Sequence, residues 1–247
     1  MMHDLAVVHT LYRRLVALYP RGFRERLGAS MEQLQGSFDQ ALDTRFGALR
    51  RALAPVEGVN TADPAALRTA ARANPGNYGI HLAYGRALAA AKDPAAFEPL
   101  ERAAQLVPVA TGEQSPHALM ADLALQLGDE ARARRELKTL LSHDHTAVDP
   151  ARRLAALAEK AGDAELMALA YERVVSLDPS DAAAHTGLGR LALKKQQADV
   201  AVREFRAALA LNPADRAGAH CDLGEAYLAK GLAADAKNVY FTDPEAG

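Results

Sequence analysis

The chain repeats itself at an interval of 34 to 35 residues. Leu188-Gly189 and Leu223-Gly224 are 35 residues apart, and Gly128-Asp129 and Gly162-Asp163 are 34 apart. Prolines that can end helices recur in the same phase, with one gap of double length, at Pro75, Pro108, Pro179 and Pro213. An internal period of this size predicts stacked supersecondary units, each of which buries its apolar face only against its neighbours.

The composition indicates that these units are helical. Hydrophobic residues make up 49% of the chain, but aromatic residues only 5%, and there is no Trp. Ala and Leu dominate the apolar set, whereas β-branched residues are few, and this mixture favours helix over strand. We therefore predict an all-α protein, in which an N-terminal helical pair precedes the repeats.

Each unit places small and large residues in the same order. The unit that begins near Ala182 supplies Leu188, Gly189, Ala201, Phe205, Ala208 and Pro213. The following unit supplies Leu223, Gly224, Tyr227, Ala236 and Tyr240. This pattern resembles the tetratricopeptide repeat, and the resemblance covers residues 63–243. It implies a right-handed α-solenoid of about five helix–turn–helix repeats, in which small residues at positions eight and twenty allow close helix packing beside a large residue at position 24.

The residues that can end and begin helices indicate short helices joined by tight turns. Asn212-Pro213 can end one helix while Asp215 caps the next, and Asp178-Pro179 with Asp181 repeats the arrangement one unit earlier. Residues 63–75, DPAALRTAARANP, are typical of a lone second helix that precedes the first complete repeat. The chain ends soon after Tyr240, without a closing polar helix, so we expect the last repeat to leave an apolar outer face.

Four of the eight histidines fall on position four of a first helix: His81, His117, His185 and His220. A row of imidazoles is compatible with a metal site or with pH sensing. However, neighbouring repeats stack about 10 Å apart, whereas zinc needs its ligands within about 2.1 Å of one ion. We therefore favour a packing role, and the pair His143 and His145 has no further ligands beside it. No metal site and no cofactor are predicted.

The sequence contains no constellation that indicates catalysis. HExxH, GxSxG and a glycine-rich loop with a lysine are all missing. Cys221 follows His220 directly, and adjacent helical residues point about 100° apart, so they cannot form a nucleophile–base pair. The net charge of −2 provides no general attraction to nucleic acid. We predict that the protein is not an enzyme and does not bind nucleic acid.

The resemblance implies that the first helices of successive repeats line a concave groove. The candidate partner-binding residues are the charged residues at groove positions, together with a neighbour of one of them: Arg86, Asp122, Arg152, Arg153, Lys160, Arg190, Lys194 and Glu225. Arginine suits bidentate contact with carboxylates. A solvated helix face is the alternative explanation of each charge. The asparagine that the family's carboxylate-clamping members use is missing from these positions.

Residues 1–54 have a different character, with eight Arg against five acidic residues. Leu18-Tyr19-Pro20, Phe23 to Gly28, Met31-Glu32-Gln33 and Phe38-Asp39 resemble the short prefix of bacterial permease-type membrane proteins, although no transmembrane segment follows. The prefix is expected to form two amphipathic helices broken at Pro20. It can cap the solenoid, lie on an anionic membrane, or dock on a membrane protein. Residues 55–62 are interpreted as a linker, and 63–247 as the repeat domain.

Residues 203–231 also resemble the C-terminal repeat tail of bacterial zinc peptidases of the HExxH class, but no catalytic domain precedes them. Taken together, these features predict a noncatalytic scaffold that binds a peptide or protein in its concave groove. The alternative is an accessory module of a membrane-associated complex, a transporter or peptidase, tethered through residues 1–54. The single cysteine and the charges near the N-terminus favour the cytoplasm, with a peripheral membrane location as the alternative.

Overall fold

The computed structural model describes residues 31–232 and residue 235. These residues belong to two compact units, divided between Pro55 and Val56. In the first unit, helix α1 (Met31–Ala52) ends with Arg50 and Arg51 in its last turn. Within the described residues, none of the helices is long and apolar enough to cross a membrane.

The second unit is a consecutive stack of helices, as the period predicts. It begins with the single helix α2 (Pro64–Ala73). Four antiparallel pairs follow, which we name repeats one to four: α3 (Tyr78–Ala90) with α4 (Phe97–Leu106), α5 (Pro116–Gln126) with α6 (Glu130–His143), α7 (Val148–Ala161) with α8 (Ala164–Leu177), and α9 (Ala182–Lys194) with α10 (Ala198–Ala210). Helix α11 (Arg216–Ala229) is the first helix of repeat five. Every helix from α2 onward packs against its neighbours in the chain, so the all-α solenoid is confirmed.

The helices begin and end where the turn residues predict. The Oδ1 atom of Asp181 accepts a hydrogen bond from the backbone N–H of Ala184 at 2.9 Å, and Asp215 accepts one from Gly218 at 2.8 Å. Such caps satisfy N–H groups that have no partner inside the helix. The expected lone helix before repeat one is α2, which Asp63 caps. Both predicted caps and this helix are confirmed.

A small residue facing a large one holds the two helices of a repeat together. A Cβ atom built on Gly189 lies 2.5 Å from Cε1 of Phe205, and one built on Gly85 lies 2.5 Å from Cγ of Leu100. Both large side chains are almost completely buried. No real Cβ atom tolerates such distances, so the glycines allow the close approach that the repeat pattern predicts.

The junction between repeats two and three lacks the usual proline and uses Asp144 instead. This buried carboxylate accepts hydrogen bonds from the N–H of Gly112 at 2.9 Å and from both the N–H and the hydroxyl of Thr146. Although burial acts in the opposite direction, these hydrogen bonds lower the pKa of Asp144. One side chain therefore ties together the loops that follow α4 and α6.

Three expectations concern residues outside the described part of the chain. The break at Pro20 between two amphipathic helices lies there, and so does the second helix of repeat five with Ala236 and Tyr240. The expected apolar face of the last repeat belongs to the same undescribed segment. The role of residues 55–62 as a linker stays a prediction.

Candidate binding surface of the first helices

The candidate residues lie on the first helices of the repeats, α3, α5, α7, α9 and α11. The recurring residue at position four fixes the register: His81, His117, Ala151, His185 and His220. Position six is then occupied by Ala83, Leu119, Arg153, Gly187 and Asp222. Position nine is occupied by Arg86, Asp122, Ala156, Arg190 and Glu225.

Two junctions between repeats join position nine of one repeat to position six of the next by an ion pair. Asp122 Oδ1 accepts a hydrogen bond from the guanidinium of Arg153 at 2.5 Å. Asp222 accepts from Nε and Nη2 of Arg190, with the shorter distance 2.9 Å. The charges have opposite order in the two junctions. Arg153 uses a single nitrogen, whereas Arg190 uses two, and pairing through two nitrogens orients the guanidinium toward the next repeat.

Two further candidates also form ion pairs. Arg152 donates to Asp149 at 2.9 Å, to Asp178 at 2.6 Å and to Asp181 at 2.7 Å. The hydrogen bonds with Asp181 and Asp149 raise the pKa of the Arg152 guanidinium. Lys160 lies 2.5 Å from Glu130. Five of the eight candidates are therefore paired with other residues of the chain, and their role as contacts for a partner stays a prediction.

The junction between repeats one and two differs, because position nine carries Arg86 and position six of the next repeat carries Leu119. Arg86 is exposed and has no ion pair or hydrogen-bonded partner for its guanidinium among the described residues. Beside it lies an open cavity of about 540 Å³ between α3 and α5, bordered also by Thr61. Alanines and leucines form most of its lining: Ala83, Ala87, Ala89, Ala90, Leu119 and Leu123.

Asp122 also borders this cavity, but its carboxylate is paired with Arg153. Lys194 and Glu225, the two remaining candidates, are exposed, and the described residues offer neither of them an ion pair. The uncommitted charges of the predicted groove are therefore Arg86 in repeat one, Lys194 in repeat four and Glu225 in repeat five.

Two of the position-four histidines pair with a glutamate on the second helix of the same repeat. His185 Nδ1 lies 2.8 Å from Oε2 of Glu204, and His117 Nδ1 lies 2.8 Å from Oε2 of Glu136. His185 Nε2 lies 3.1 Å from the carbonyl oxygen of Pro179, which leaves both of its ring nitrogens satisfied. The predicted packing role is confirmed for His185, which is buried, but the glutamate partners were not predicted. Both stand 19 residues after their histidine, and this recurrence was a signal in the sequence.

Glu204 remains charged in this buried position because it has two cationic or hydrogen-bonding neighbours. Burial raises the pKa of a carboxyl group, but hydrogen bonds from His185 and Arg203 outweigh it and lower the pKa of Glu204. The Arg203 guanidinium donates to Oε1 at 2.8 Å.

His81 occupies the same position in repeat one without the same partners. The residue before the buried Leu100 is Pro99, where repeat four has Glu204 before Phe205. The carbonyl oxygen of Pro75 accepts a hydrogen bond from Nε of Arg102 at 2.8 Å. Both ring nitrogens of His81 are buried, and neither has a partner with the geometry of a full hydrogen bond in the described chain. The carbonyl group of Pro75 lies close enough to His81 to act on its pKa in the raising direction. Burial, and then the positive charge of Arg102, lower the pKa of His81.

The described residues contain no group of three or more His, Cys, Asp or Glu placed to hold a metal ion. His145 and Asp144 make contacts of other kinds, since His145 Nδ1 lies 3.0 Å from Nη1 of Arg173 and Asp144 binds the loop of Gly112. Cys221 is exposed on α11. A second, smaller cavity of about 380 Å³ lies among α8, α9 and α10, with Glu172, Leu191 and Val200 in its lining.

Solved structures show which fold the chain resembles. The crystal structure of YrrB, described as a TPR protein with an unusual peptide-binding site, matches with a TM-score of 0.51 and 17% identity over 72% of this chain and 90% of that chain. MamA matches with a TM-score of 0.49 and 18% identity over 66% of this chain and 87% of that one. MamA from Desulfovibrio magneticus RS-1 gives a TM-score of 0.45 and 21% identity over 66% of this chain and 90% of that one.

No family model matches the sequence, and no curated protein matches it. The likeness to YrrB shows that the chain has the fold of a tetratricopeptide-type repeat protein, as the sequence pattern predicts. Identity of 17% shows the fold alone.

Proposed function

We propose that this protein is a noncatalytic scaffold that binds a peptide or a segment of another protein on the surface formed by its first helices. The observation that carries the proposal is that this surface combines exposed charges without an internal partner with an open apolar cavity between α3 and α5. Clefts of this size, largely apolar with a few convergent polar groups, are the usual form of a binding site.

The fold supports the same proposal. YrrB, which has a similar fold, is described as having a peptide-binding site. A stack of helix pairs presents an extended surface on which a partner contacts several repeats at once. The sequence pattern of the repeats and the described apolar cavity both fit the binding of a peptide, and we therefore propose binding rather than catalysis.

Site-specific photocrosslinking tests which surface carries the partner. A benzophenone side chain at Lys194 or at Glu225 places the probe beside the uncommitted charges of the first helices. The controls are Arg135 and Arg206, which are exposed on the second helices α6 and α10. We expect discrete adducts in cells from the first pair of positions and none from the control pair.

The opposite pattern, with adducts only from Arg135 and Arg206, contradicts the proposal. Charge reversal at Arg152 or Arg190 is a poorer test, because both residues hold neighbouring repeats together. A loss of binding in those variants therefore does not separate contact with the partner from a change in the stack.

A second candidate function is that of an accessory module tethered to a membrane-associated complex through residues 1–54. Helix α1 favours it, because the exposed ring of Phe46 directly follows Arg45, whose Cζ is 5.5 Å from the ring centroid, and the last turn of the same helix carries Arg50 and Arg51. An aromatic ring flanked by cations is typical of side chains that lie at the headgroup level of anionic lipid.

Cell fractionation separates the two candidates. The full chain is expected in the membrane fraction if the second candidate is right, and a chain that starts at residue 55 in the supernatant. Phe46→Glu is the matched point variant, since it adds one negative charge without removing the segment. Equal distribution of all three proteins rules out tethering through residues 1–54. The first candidate predicts the same binding to a soluble partner with and without this segment.

A further inference from the structure

The first helices form four junctions between successive repeats, and in three of them no charge at position nine or at position six of the next repeat is left unpaired. Asp122 meets Arg153 and Arg190 meets Asp222, and each charge is neutralised by the next repeat. Ala156 and Gly187 occupy these two positions at the junction between repeats three and four, and neither residue is charged. At the remaining junction, position nine is the charged Arg86 and position six is the apolar Leu119. Arg86 therefore has no internal carboxylate of the kind that Asp222 provides for Arg190.

We propose that the carboxylate missing at this junction is supplied by the ligand, so that the α3–α5 cavity binds an acidic side chain flanked by an aliphatic one in an extended peptide. This inference rests on the proposed function and names the chemistry of one subsite on the same surface. The carboxylate of the peptide pairs with Arg86 in the way that the carboxylate of Asp222 pairs with Arg190. The neighbouring aliphatic side chain enters the space lined by Leu119 and Leu123.

The dimensions and lining of the cavity fit this occupant. Its volume of about 540 Å³ exceeds what a single side chain needs, so a short stretch of peptide fits. The lining residues on α3 are mostly alanines, and their small side chains allow a peptide backbone to come close to the helix. Leu119 is partly exposed on α5 and offers an apolar surface to a side chain, whereas Leu123, one turn further along the helix, is almost completely buried.

The charges at the cavity select the same chemistry. Three charged groups lie at or next to it: the guanidiniums of Arg86 and Arg153 and the carboxylate of Asp122. Because Asp122 and Arg153 neutralise each other, the uncompensated charge is the single positive charge of Arg86. A basic side chain in this space faces an unpaired cation and is disfavoured, whereas an acidic one gains a charge-assisted hydrogen bond.

Selection of a phage-displayed library of random twelve-residue peptides on the full chain tests the proposal. We expect the enriched peptides to share an acidic residue next to Leu, Ile or Met. Synthetic copies of these peptides should bind Arg86→Ala roughly tenfold more weakly, which corresponds to the loss of one hydrogen bond to a charged group. Replacing the acidic residue of the peptide by its amide should cost a similar factor.

Leu119→Asp is the sharper variant, because it builds into the first junction the carboxylate that Asp222 supplies in the fourth. Arg86 then has an internal partner, and we expect binding of the acidic peptides to fall at least tenfold. Arg135→Ala is the control, since it removes one exposed positive charge from a second helix, away from the surface of the first helices, and binding should remain within about twofold. Leu119 also contacts the core of repeats one and two, so a Leu119→Asp protein that does not fold leaves Arg86→Ala as the decisive variant.

The outcomes separate this inference from the proposed function. Enriched peptides without an acidic residue, or peptides whose affinity is unchanged in Arg86→Ala, overturn the acidic subsite. If such peptides lose affinity when Lys194 or Glu225 is changed, the first-helix surface still binds peptides and the proposed function stands. If no peptide is enriched, or if enriched peptides ignore all three residues, both proposals are wrong.

Discussion

Repeats one and four have the same architecture but differ in how their polar groups are satisfied. In each, a glycine on the first helix faces a large buried residue on the second, Gly85 with Leu100 and Gly189 with Phe205. In repeat four, His185 contacts Glu204 and the Pro179 carbonyl, and Arg190 pairs with Asp222 in the next repeat. In repeat one, Arg86 has no such partner among the described residues, and His81 has no glutamate partner. The carbonyl group of Pro75 lies near His81 but does not reach the geometry of a full hydrogen bond.

The difference separates what holds the fold together from what is available to a ligand. The apolar contacts recur because every repeat must bury one face against its neighbours. The polar contacts do not recur, and where they are missing the chain retains an unpaired buried imidazole and an unpaired exposed guanidinium. The repeat with unsatisfied groups is also the one that borders the larger cavity.

The largest expected effect concerns the buried apolar contacts that repeats one and four share. Phe205→Ala and Leu100→Ala should each reduce the free energy of unfolding by about 3–5 kcal/mol, because both remove a fully buried side chain at the helix contact. Urea denaturation followed by circular dichroism measures the loss. If Leu100→Ala is nearly neutral, repeat one is not packed in the same way as repeat four, which contradicts the shared architecture of the two repeats.

Glu204→Met should make repeat four resemble repeat one. It leaves Nδ1 of His185 buried without a partner, so we expect a loss of about 1–3 kcal/mol in the free energy of unfolding. The double variant His185→Phe with Glu204→Met removes both partners and should recover most of that loss. Arg206→Ala is the control, because it changes an exposed side chain of the same helix that bonds to neither His185 nor Glu204.

The pH dependence of the same variant has a definite sign. The pKa of Glu204 is lower in the folded protein than its ordinary value of 4.5, so between these two values the unfolded chain binds more protons. The carboxylate therefore contributes stability above about pH 4.5, and this contribution disappears as the pH falls through the folded pKa. Glu204→Met should show a shallower loss of stability below pH 4.5 than the unchanged protein.

His81→Phe should have a smaller effect of the opposite sign. It replaces an unpaired buried imidazole by a ring that needs no hydrogen bond, and we expect a gain of up to about 1 kcal/mol in the free energy of unfolding at neutral pH. The pKa of His81 lies below its ordinary value of 6.5, so the folded state loses stability as the pH falls below that value. The gain in His81→Phe should therefore grow between pH 7 and pH 5, and a constant gain contradicts the unpaired state of His81.

The smallest expected effects concern the two position-nine arginines. Arg190→Ala should reduce the free energy of unfolding by about 0.5–1 kcal/mol, because a bidentate surface ion pair is lost, whereas Arg86→Ala should change it by less than about 0.5 kcal/mol. Thermal unfolding of the two variants at low and high salt measures the difference. Equal losses in both variants indicate that Arg86 has a stabilising contact and is not available to a ligand.

The sequence predicted the features that depend on nearby residues or on the period. Asp181 and Asp215 were recognisable as caps because a cap acts within three residues. The facing pair Gly189 and Phe205 followed from the repeat pattern, in which a small and a large residue recur in fixed positions.

The contacts between distant polar side chains were not predictable in the same way. Arg153 was identified as a groove residue, but its partner Asp122 stands 31 residues earlier, and the choice between partner contact and internal pairing needs coordinates. The buried contact between Asp144 and Gly112 likewise spans 32 residues and replaces a proline in only one repeat. The cavity at Arg86 depends on Leu119, an ordinary apolar residue that attracts no notice in the sequence.

The ion pairs between position nine and position six have a consequence for the order of the repeats. Asp122 precedes Arg153, whereas Arg190 precedes Asp222, so the two junctions carry opposite signs. A chain in which the first helices α7 and α11 exchanged places would set Asp122 against Asp222 and Arg190 against Arg153, with like charges in contact at both junctions. The charges at these two junctions thus specify which first helix follows which, although all the repeats share one fold.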